Sequence, residues 1–502
     1  MHESNATLGK IGLRELNAMK STRRRWLLAS LSSMTFLSYL PSAVDAMEPQ
    51  ALGADEQITK LTRVKSVLEV KGNVKLKNYQ SKKAGEHRSA SIEAKSTLEY
   101  EEEFRIGASL QSTVEEASYQ AFSIAELDNL IEKHATKISL REPCREIIKK
   151  EISGRRSTVC VGHPLTSAER DLVEGPISTM FLERLMPSRA IKLGDQWELD
   201  NESASKLFNL DLATKGTIRV TLVDADADVG QIELKGTLQG EVRSIGTKIE
   251  IEGKAKIDRK QGIVTWCTLA IQEDREVSEA EPGFQIQARI RILRESIDAI
   301  SSGRNLSEME THIDQSSSGQ LTQIDSRLGA YRFVADRDWT TYNDSGVDAA
   351  LRWVQKNRTI AQCTITNLTD MEPGRQLTLA GFQNDIQKSL DKRFGQFSEA
   401  DERLSQTGLR MMRVVTMGQV ETVPIQWIHI LLSNDAGRHL SLAYSMNASN
   451  ADSFGTQDLQ MAGSLEFTLK QLPVAPSESK SEDSKSAEAK AATKPATTAP
   501  RR

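Results

Sequence analysis

The chain has few of the residues that mark specialised protein classes. Four cysteines in 502 residues are too few for a disulfide scaffold. Aromatic residues make up only 5% of the chain, which indicates sheets packed with aliphatic side chains rather than aromatic sugar-binding platforms. The 65 basic and 69 acidic residues nearly balance. The composition therefore excludes the electrostatic footprint of a nucleic-acid-binding protein and the polybasic patch that binds anionic lipid.

The N-terminal segment 1–46 has the order of parts typical of a signal peptide. The basic residues Arg23 to Arg25 precede the apolar run Trp26–Leu40, which is shorter than the about 20 residues of a membrane-spanning helix. Val44 and Ala46 then supply the small residues that a signal peptidase recognises. We predict cleavage between Ala46 and Met47. The mature chain is expected to be exported to the periplasm or the cell envelope, or to be secreted.

The route of export stays open at this point. The run Thr22–Leu28 resembles the twin-arginine pattern, with Trp26 at the position that usually holds Phe, but ordinary secretory signals also contain arginine pairs. An uncleaved N-terminal anchor is the other alternative. The start of translation can be Met1 or Met19. The first cysteine is Cys144, which argues against a lipoprotein anchor.

Motifs of catalysis and cofactor binding are missing from the sequence. The seven histidines include no pair at metal-ligand spacing, and there is no G-x-S-x-G, phosphate-binding glycine loop or dinucleotide fingerprint. Asp224 to Asp228 begins like a calcium loop, but Val229 and Lys235 stand where the loop needs Gly and Glu, so an acidic turn is the better interpretation. We predict no catalytic, cofactor-binding or metal-binding residue.

Changes in composition divide the chain into parts. After the signal peptide we predict a β-rich domain over 47–300, a Ser-rich linker with few contacts over 301–329, and a mixed domain over 330–470. The remainder, 471–502, is rich in Ser, Lys, Glu, Ala, Pro and Thr and has no aromatic residue. It is predicted to be disordered because it has almost nothing to bury.

The first domain has apolar residues at every second position in seven segments. This alternation is typical of antiparallel strands with one buried face. A helical segment at Thr166–Met186, with a capping box of Thr166 and Glu169 and a break at Gly175-Pro176, is expected to cover that face. The predicted strands are Leu68–Leu76, Ile92–Tyr100, Ile218–Leu222, Ile232–Val242, Ile249–Ile257, Ile263–Ile271 and Phe284–Ile292.

The second domain mixes the two periods. Apolar spacings of three and four predict a helix over Leu379–Phe394, and a final helix is expected at about Ser453–Leu465. Strands are predicted at Leu409–Val415, Ile425–Leu432 and His439–Met446, the middle one apolar on both faces and therefore central. The fold class is α+β: a large curved antiparallel sheet with short helices covering one face, followed by a smaller antiparallel sheet sandwiched by helices.

Two smaller features add structural expectations. Cys144 and Cys160 flank a predicted hairpin, and a turn centred on Ile152 would set them face to face, so we predict a possible disulfide in an oxidising compartment. Cys267 and Cys363 are expected to be buried small hydrophobes. The Gly194-Asp195 turn is expected to start a strand whose Trp197 fills either the sheet edge or the concavity of the sheet.

With the strands placed, the chain resembles a group of uncharacterised exported bacterial proteins. The first domain is similar to the lipoprotein-carrier type of curved antiparallel sheet, and the second resembles the PsbP-like α/β/α sandwich. These resemblances imply binding or assembly roles and carry no catalytic residues. They rest on Leu185-Met186-Pro187, Gly194-Asp195-Gln196-Trp197, the Asp258–Trp266 hairpin, Tyr331–Trp339, Phe382–Phe397 and Ile425–Ile430.

The leading hypothesis is an exported non-enzymatic envelope protein that binds an apolar or lipidic ligand or an envelope protein. It would keep no stable membrane span after cleavage. The alternatives are an envelope hydrolase with an unrecognised carboxylate or hydroxyl site, and a purely structural scaffold. The shape and polarity of the first domain's interior distinguish the three.

Overall fold

The computed structural model of the chain describes residues 57–77, 87–107, 114–152, 155–187, 189–278, 281–313, 320–356 and 358–469. The predicted signal peptide, with its cleavage between Ala46 and Met47, and the predicted disordered tail 471–502 lie outside the described residues. Strands account for 59% and helices for 16%, which confirms a sheet-dominated α+β class with a large and a smaller sheet. No helix in the described ranges combines the length and the apolar character needed to cross a membrane.

Twelve antiparallel strands in the described residues form the large sheet. Their order is β6-β5-β3-β2-β1-β12-β11-β10-β9-β8-β7, with β4 paired to β3. The strands are β1 (Gln57–Lys77), β2 (His87–Gly107), β3 (Ala117–Ile131), β4 (His134–Ser139), β5 (Glu146–Ile152), β6 (Arg155–Cys160), β7 (Gln196–Leu199), β8 (Leu212–Ala225), β9 (Val229–Val242), β10 (Ile245–Asp258), β11 (Ile263–Arg275) and β12 (Gly283–Ser296).

Alternation along the strands gives the large sheet two different faces. On β1, Val64 and Val70 are buried, and they belong to the main hydrophobic cluster on what we call the inner face. Charged residues lie on the other face: Lys65 lies opposite Glu99 of β2 and binds it at 3.1 Å on what we call the outer face. Such exposed pairs add little stability but favour one register of the ladder.

The seven strands predicted from alternation are confirmed as parts of β1, β2 and β8 to β12. The sheet is larger than these seven strands because β3 to β7 also belong to it, and among them β3 was missed. Its inner face carries Ser118 and Gln120, which are buried yet polar and therefore interrupt the apolar alternation. The turn at Asp258–Gly262 between β10 and β11 is confirmed, and Gly262 has the positive φ of 62° that the turn requires.

The predicted helical segment is present as two short helices. Helix α1 (Ser167–Glu174) begins at a capping box in which Thr166 and Glu169 bond each other's backbone. A 3-10 helix follows at Thr179–Leu185, after Gly175 takes a positive φ of 51°. Phe181 and other apolar residues of this segment belong to the same buried cluster as the inner face of the sheet. A further helix, α2 (Asn201–Leu207), precedes β8.

Residues of the predicted linker 301–329 contact the large sheet and form part of a third sheet, the small three-stranded sheet. Helix α3 (Leu306–Thr311) places Leu306 and Met309 in a buried cluster with Tyr119 of β3. Strand β13 (Leu321–Ser326) pairs with β14 (Tyr331–Asp336), which also pairs with β22 (Glu466–Phe467). The linker was expected to make few contacts, but its two ends, at helix α3 and strand β13, are packed or paired. The division of the chain into two domains stays a prediction.

Seven antiparallel strands in the described residues form the smaller sheet, in the order β15-β16-β17-β21-β20-β19-β18. Strand β20 is interior, as its two apolar faces predicted. The strands are β15 (Trp339–Asp344), β16 (Asp348–Gln355), β17 (Arg358–Asn367), β18 (Phe394–Leu404), β19 (Arg410–Val420), β20 (Val423–Ser433) and β21 (His439–Asn447).

Helices contact the smaller sheet on both faces. Helix α4 (Leu379–Leu390) places Phe382 against Trp427 in one buried cluster. Helices α5 (Ala451–Phe454) and α6 (Gln457–Gly463) contribute to the cluster on the other face. The helix predicted over Leu379–Phe394 ends early, because Asp391 takes a positive φ of 51° and the chain then enters β18.

Candidate functional site

The inner face of the large sheet is more open on one half than on the other. Direct ladder partners run from Leu127 of β3 through Ser96 and Leu68 to Ile290 and then Leu269 of β11. Ile290 and Leu269 are each 2% exposed, whereas Leu68 and Leu127 are only partly buried. The strands β1 to β4 therefore keep part of their apolar inner face accessible.

This accessible region is a continuous apolar surface, which we call the inner strip. Its members are all partly buried and pack against the main cluster of the sheet. On β2 the strip lies between the buried residues Ile92 and Tyr100, and the small side chain of Ser96 at its centre is itself buried. It spans about 14 Å across the strands and about 13 Å along them. The inner strip consists of Leu68, Ala94, Leu98, Leu127 and Ile138.

A small pocket adjoins the inner strip. Ala125, which lies opposite Leu98 in the ladder of β2 and β3, contributes to its wall together with Phe122 and Leu140. The pocket volume is about 60 Å³. Sites for drug-sized ligands have volumes of about 300–1,000 Å³. A lipid would therefore have to lie on the strip rather than enter this pocket.

A buried polar cluster lies at one end of the inner strip. The Oη of Tyr100 is 2.8 Å from Oγ1 of Thr179, which donates to Glu102 at 2.9 Å. Gln120 donates its amide hydrogen to the same carboxylate at 2.7 Å. All four side chains are buried. Burial, followed by the charge of Glu102, raises the pKa of Tyr100, so this hydroxyl stays a donor.

A buried ion pair fixes the 3-10 helix Thr179–Leu185 at a second point. Arg294 of β12 donates to Oε1 of Glu183 at 2.7 Å, and both side chains are at most 3% exposed. The backbone N–H of Val264 donates to the same oxygen at 3.3 Å. Burial raises the pKa of Glu183, against the effect of Arg294. The interior of the first domain thus combines an apolar surface with desolvated charges.

The hydroxyl of Ser118 and the amine of Lys149 are the groups that a hydrolase would use. They are direct partners in the ladder of β3 and β5. Burial lowers the pKa of Lys149, whose Nζ donates to the carbonyl of Val173 at 2.7 Å. Ser118 is 0% exposed, and its Oγ has no hydrogen-bond partner among the described residues. A substrate would have to displace packed side chains to reach it, so a structural role fits better.

The structure corrects the predicted geometry of Cys144 and Cys160. Because Ile152 pairs with Arg155, Cys160 faces Ile147 rather than Cys144. The predicted direct opposition of the two cysteines is therefore wrong. The two side chains are still close, since Cys144 lies in the 3-10 helix Glu142–Cys144 before β5 and the Cys160 thiol donates to the carbonyl of the preceding residue, Pro143, at 3.2 Å. Both are buried free thiols in this structure, and the disulfide stays a prediction.

The proximity of the two thiols makes them unequal acids. The neighbouring Cys160 thiol lowers the pKa of Cys144, and the nearby charge of Arg141 acts in the same direction. The neighbouring Cys144, together with burial, raises the pKa of Cys160. Cys144 is therefore the thiol that more readily becomes a thiolate.

The remaining residues considered in the sequence have structural surroundings. Asp226 caps the acidic turn, accepting from the backbone of Asp228 and Val229 at 2.8 and 2.7 Å. Trp197 lies on the edge strand β7, as predicted, and donates to the carbonyl of Leu185 at 3.0 Å. Within the described ranges, no group of three or more His, Cys, Asp or Glu side chains is arranged to hold a metal ion.

The other two cysteines and one histidine lie inside the sheets. Cys267 and Cys363 are each 1% exposed, which confirms them as buried small residues. Burial lowers the pKa of His429 to about 4, so it is neutral at physiological pH. It lies between Val414 and Ala443 in the ladder of the smaller sheet.

Comparisons with known proteins give no family. No family model matches the chain, and no curated protein matches it. A crystal structure from Bacteroides thetaiotaomicron is 9% identical, with a TM-score of 0.22 over 30% of this chain and 48% of that one. Lipovitellin, in a structure described by its lipid–protein interactions, is 9% identical with a TM-score of 0.26 over 48% of this chain and 26% of that one.

A third similarity is to the outer membrane protein OprD from Pseudomonas aeruginosa. It is 9% identical with a TM-score of 0.10, over 80% of this chain and 95% of that one. The chain spans about half the length of the Bacteroides protein and about a quarter of the lipovitellin chain it is compared with. At these TM-scores the similarities do not establish a shared fold.

Proposed function

We propose that this chain is an exported, non-enzymatic binding protein of the cell envelope whose inner strip holds the acyl chain of a lipidic ligand. The observation that carries the proposal is the partial exposure of Leu68 and Leu127, on either side of the buried Ser96, in a ladder row where Ile290 is 2% exposed. Apolar surface that stays accessible between buried neighbours is typical of a binding site.

The chemistry of the inner strip supports an apolar ligand over a polar one. All of its five members are aliphatic, and the buried charges Glu183 and Arg294 pair with each other at 2.7 Å rather than with a ligand. In this proposal the large sheet is curved, the segment 167–185 covers part of its inner face, and the two helices leave the inner strip open. The smaller sheet, sandwiched by helices, serves as an interaction module for an envelope protein.

A pair of charge insertions on opposite faces tests the site. Leu98→Glu places a carboxylate on the inner strip, whereas Leu293→Glu places one on the outer face of β12, where Leu293 is 53% exposed. With a fluorescent anthroyloxy fatty acid as the probe, we expect L98E to weaken binding by about tenfold or more, because desolvating a charge costs over 1.4 kcal/mol. We expect L293E to bind as the wild type does.

The same experiment has a clear negative result. Equal probe binding by both variants, with both folded by circular dichroism, would exclude the inner strip as the site. Native mass spectrometry of the protein purified from the cell envelope adds an independent measurement. A co-purifying lipid should be absent from L98E and present on L293E.

Export is the second part of the proposal and is tested separately. It is supported by the order of basic, apolar and small residues in 1–46. N-terminal sequencing of the envelope form should begin at Met47. A chain that begins at Met1 or Met19 would show that the segment is retained.

A further inference from the structure

The large sheet and the small three-stranded sheet meet at the start of helix α1. The carbonyl of Leu165 accepts from the backbone N–H of Gln323 at 3.0 Å and from Oγ1 of Thr322 at 2.9 Å. Thr166 and Gln323 also form an isolated parallel bridge. Thr322 is 0% exposed, so these bonds are shielded from water. We call this contact, formed by residues 165–166 and 322–323, the clasp.

One carboxylate organises the chain on the α1 side of the clasp. Glu169 accepts from Nε and Nη2 of Arg141 at 2.7 and 2.8 Å, and from the backbone N–H of Thr166 at 2.9 Å. Its side chain is 4% exposed. The charge of Asp325 on β13 also acts on Arg141. The segments around Arg141 and Thr166 are thereby held together beneath β13.

Both of these segments lead directly to a cysteine. Cys144 follows Arg141 by three residues, and Cys160 precedes Leu165 by five. The two thiols are buried, and Sγ of Cys160 lies 3.2 Å from the carbonyl oxygen of Pro143, the residue that precedes Cys144. We propose that Cys144 and Cys160 form a redox-controlled staple of the clasp: in the dithiol form, which the structure shows with the clasp closed, β13 can still separate from α1, and the disulfide form locks the two together.

The staple forms by thiol–disulfide exchange with a disulfide-bearing oxidant, while the hairpin β5–β6 is still accessible during folding. The thiolate of Cys144 attacks one sulfur of the oxidant, forms a mixed disulfide and expels the first thiolate. The Cys160 thiolate then attacks the Cys144 sulfur and expels the second. The oxidant is reduced to two thiols, which take up the protons lost by the two cysteines.

Hydrogen exchange on the full chain tests the staple. The purified protein is refolded in a glutathione redox buffer, which supplies the oxidant whether or not the chain is exported, and half of it is then reduced. We expect amide exchange in the peptide containing 320–326 to become about tenfold faster on reduction, because the bond from the Gln323 N–H to Leu165 opens more often without the disulfide. A peptide within β10, far from the clasp, should not change.

Two cysteine variants make the test specific. The double variant C144S/C160S should exchange at 320–326 at the rate of the reduced wild type, and this rate should not change when reductant is added. C267S, which removes a buried thiol elsewhere in the large sheet, should keep the wild-type response. The proposal is overturned if the disulfide does not form in the redox buffer, or if it forms and its reduction leaves exchange at 320–326 unchanged. Neither outcome bears on fatty-acid binding at the inner strip, so the two proposals fail separately.

Discussion

Breaking the ion pair between Glu183 and Arg294 should cost the first domain much of its stability. The variant Glu183→Gln keeps the size of the side chain but removes the charge that compensates Arg294, whose side chain is 0% exposed. Breaking a buried pair from one side costs about 3–5 kcal/mol, because the remaining charge stays desolvated. Replacing both partners together, with Glu183→Leu and Arg294→Met, should cost far less or even stabilise.

Native-state hydrogen exchange in urea measures this locally, without assuming one transition for the whole chain. The amide of Val264 is the reporter, since it donates to the Glu183 carboxylate. As a matched control, Glu252→Gln breaks the exposed pair with Lys235 on the outer face and should leave exchange unchanged. A loss below about 1 kcal/mol for Glu183→Gln would refute the reasoning, because it would mean that water solvates Arg294 inside the sheet.

Three further predictions follow from single contacts. Gly216→Ala should destabilise the first domain by about 2 kcal/mol or more in urea unfolding, because Gly216 has a φ of 117° and a Cβ would clash with the carbonyl of Thr237; wild-type stability would contradict this. Phe382→Ala should cost about 3 kcal/mol by opening the interface with helix α4, read from Trp fluorescence of the second domain; an unchanged midpoint would show that the helix adds no stability. Glu169→Gln should cost about 1.5–3 kcal/mol at pH 7 and less below pH about 4. Burial raises the pKa of Glu169, but the bonds from Arg141 and Thr166 outweigh this effect and leave the pKa lowered. The contribution of Glu169 to stability is therefore present above the pKa of the unfolded chain and is lost as the pH falls through the pKa of the folded one. A stability difference that does not depend on pH would contradict the assignment.

The sequence predicted the sheet best where one face is apolar and the other charged. Strands such as β9 and β10 satisfy this along their length, so their alternation was visible. Strand β3 does not, because Ser118 and Gln120 take buried positions that a pattern search assigns to solvent. On β16, Leu351 and Trp353 do alternate, and the same criterion applied there would have found the strand.

The candidate site could not be predicted in the same way. Leu68 and Val70 are neighbours on one face of β1 with the same apolar character, yet only Val70 is fully buried. The difference is set by what packs across the sheet, which no local pattern records. The proximity of the thiols likewise depends on a 3-10 turn of three residues, whereas the symmetrical hairpin inferred from spacing gave the wrong register for Cys160.

The pairing of β1 with β12 has a consequence for the order in which the chain folds. Its partners are far apart in sequence: Glu69 and Arg291 are separated by 222 residues. At synthesis rates of about 5–20 residues per second, β1 waits about 10–45 s for its neighbour. During that time a strand of 21 residues presents an unpaired edge, protected mainly by charged side chains such as Lys65 and Lys71. The two halves of the large sheet can form locally, but joining them is a slow, long-range step in which the nascent chain is most open to mispairing.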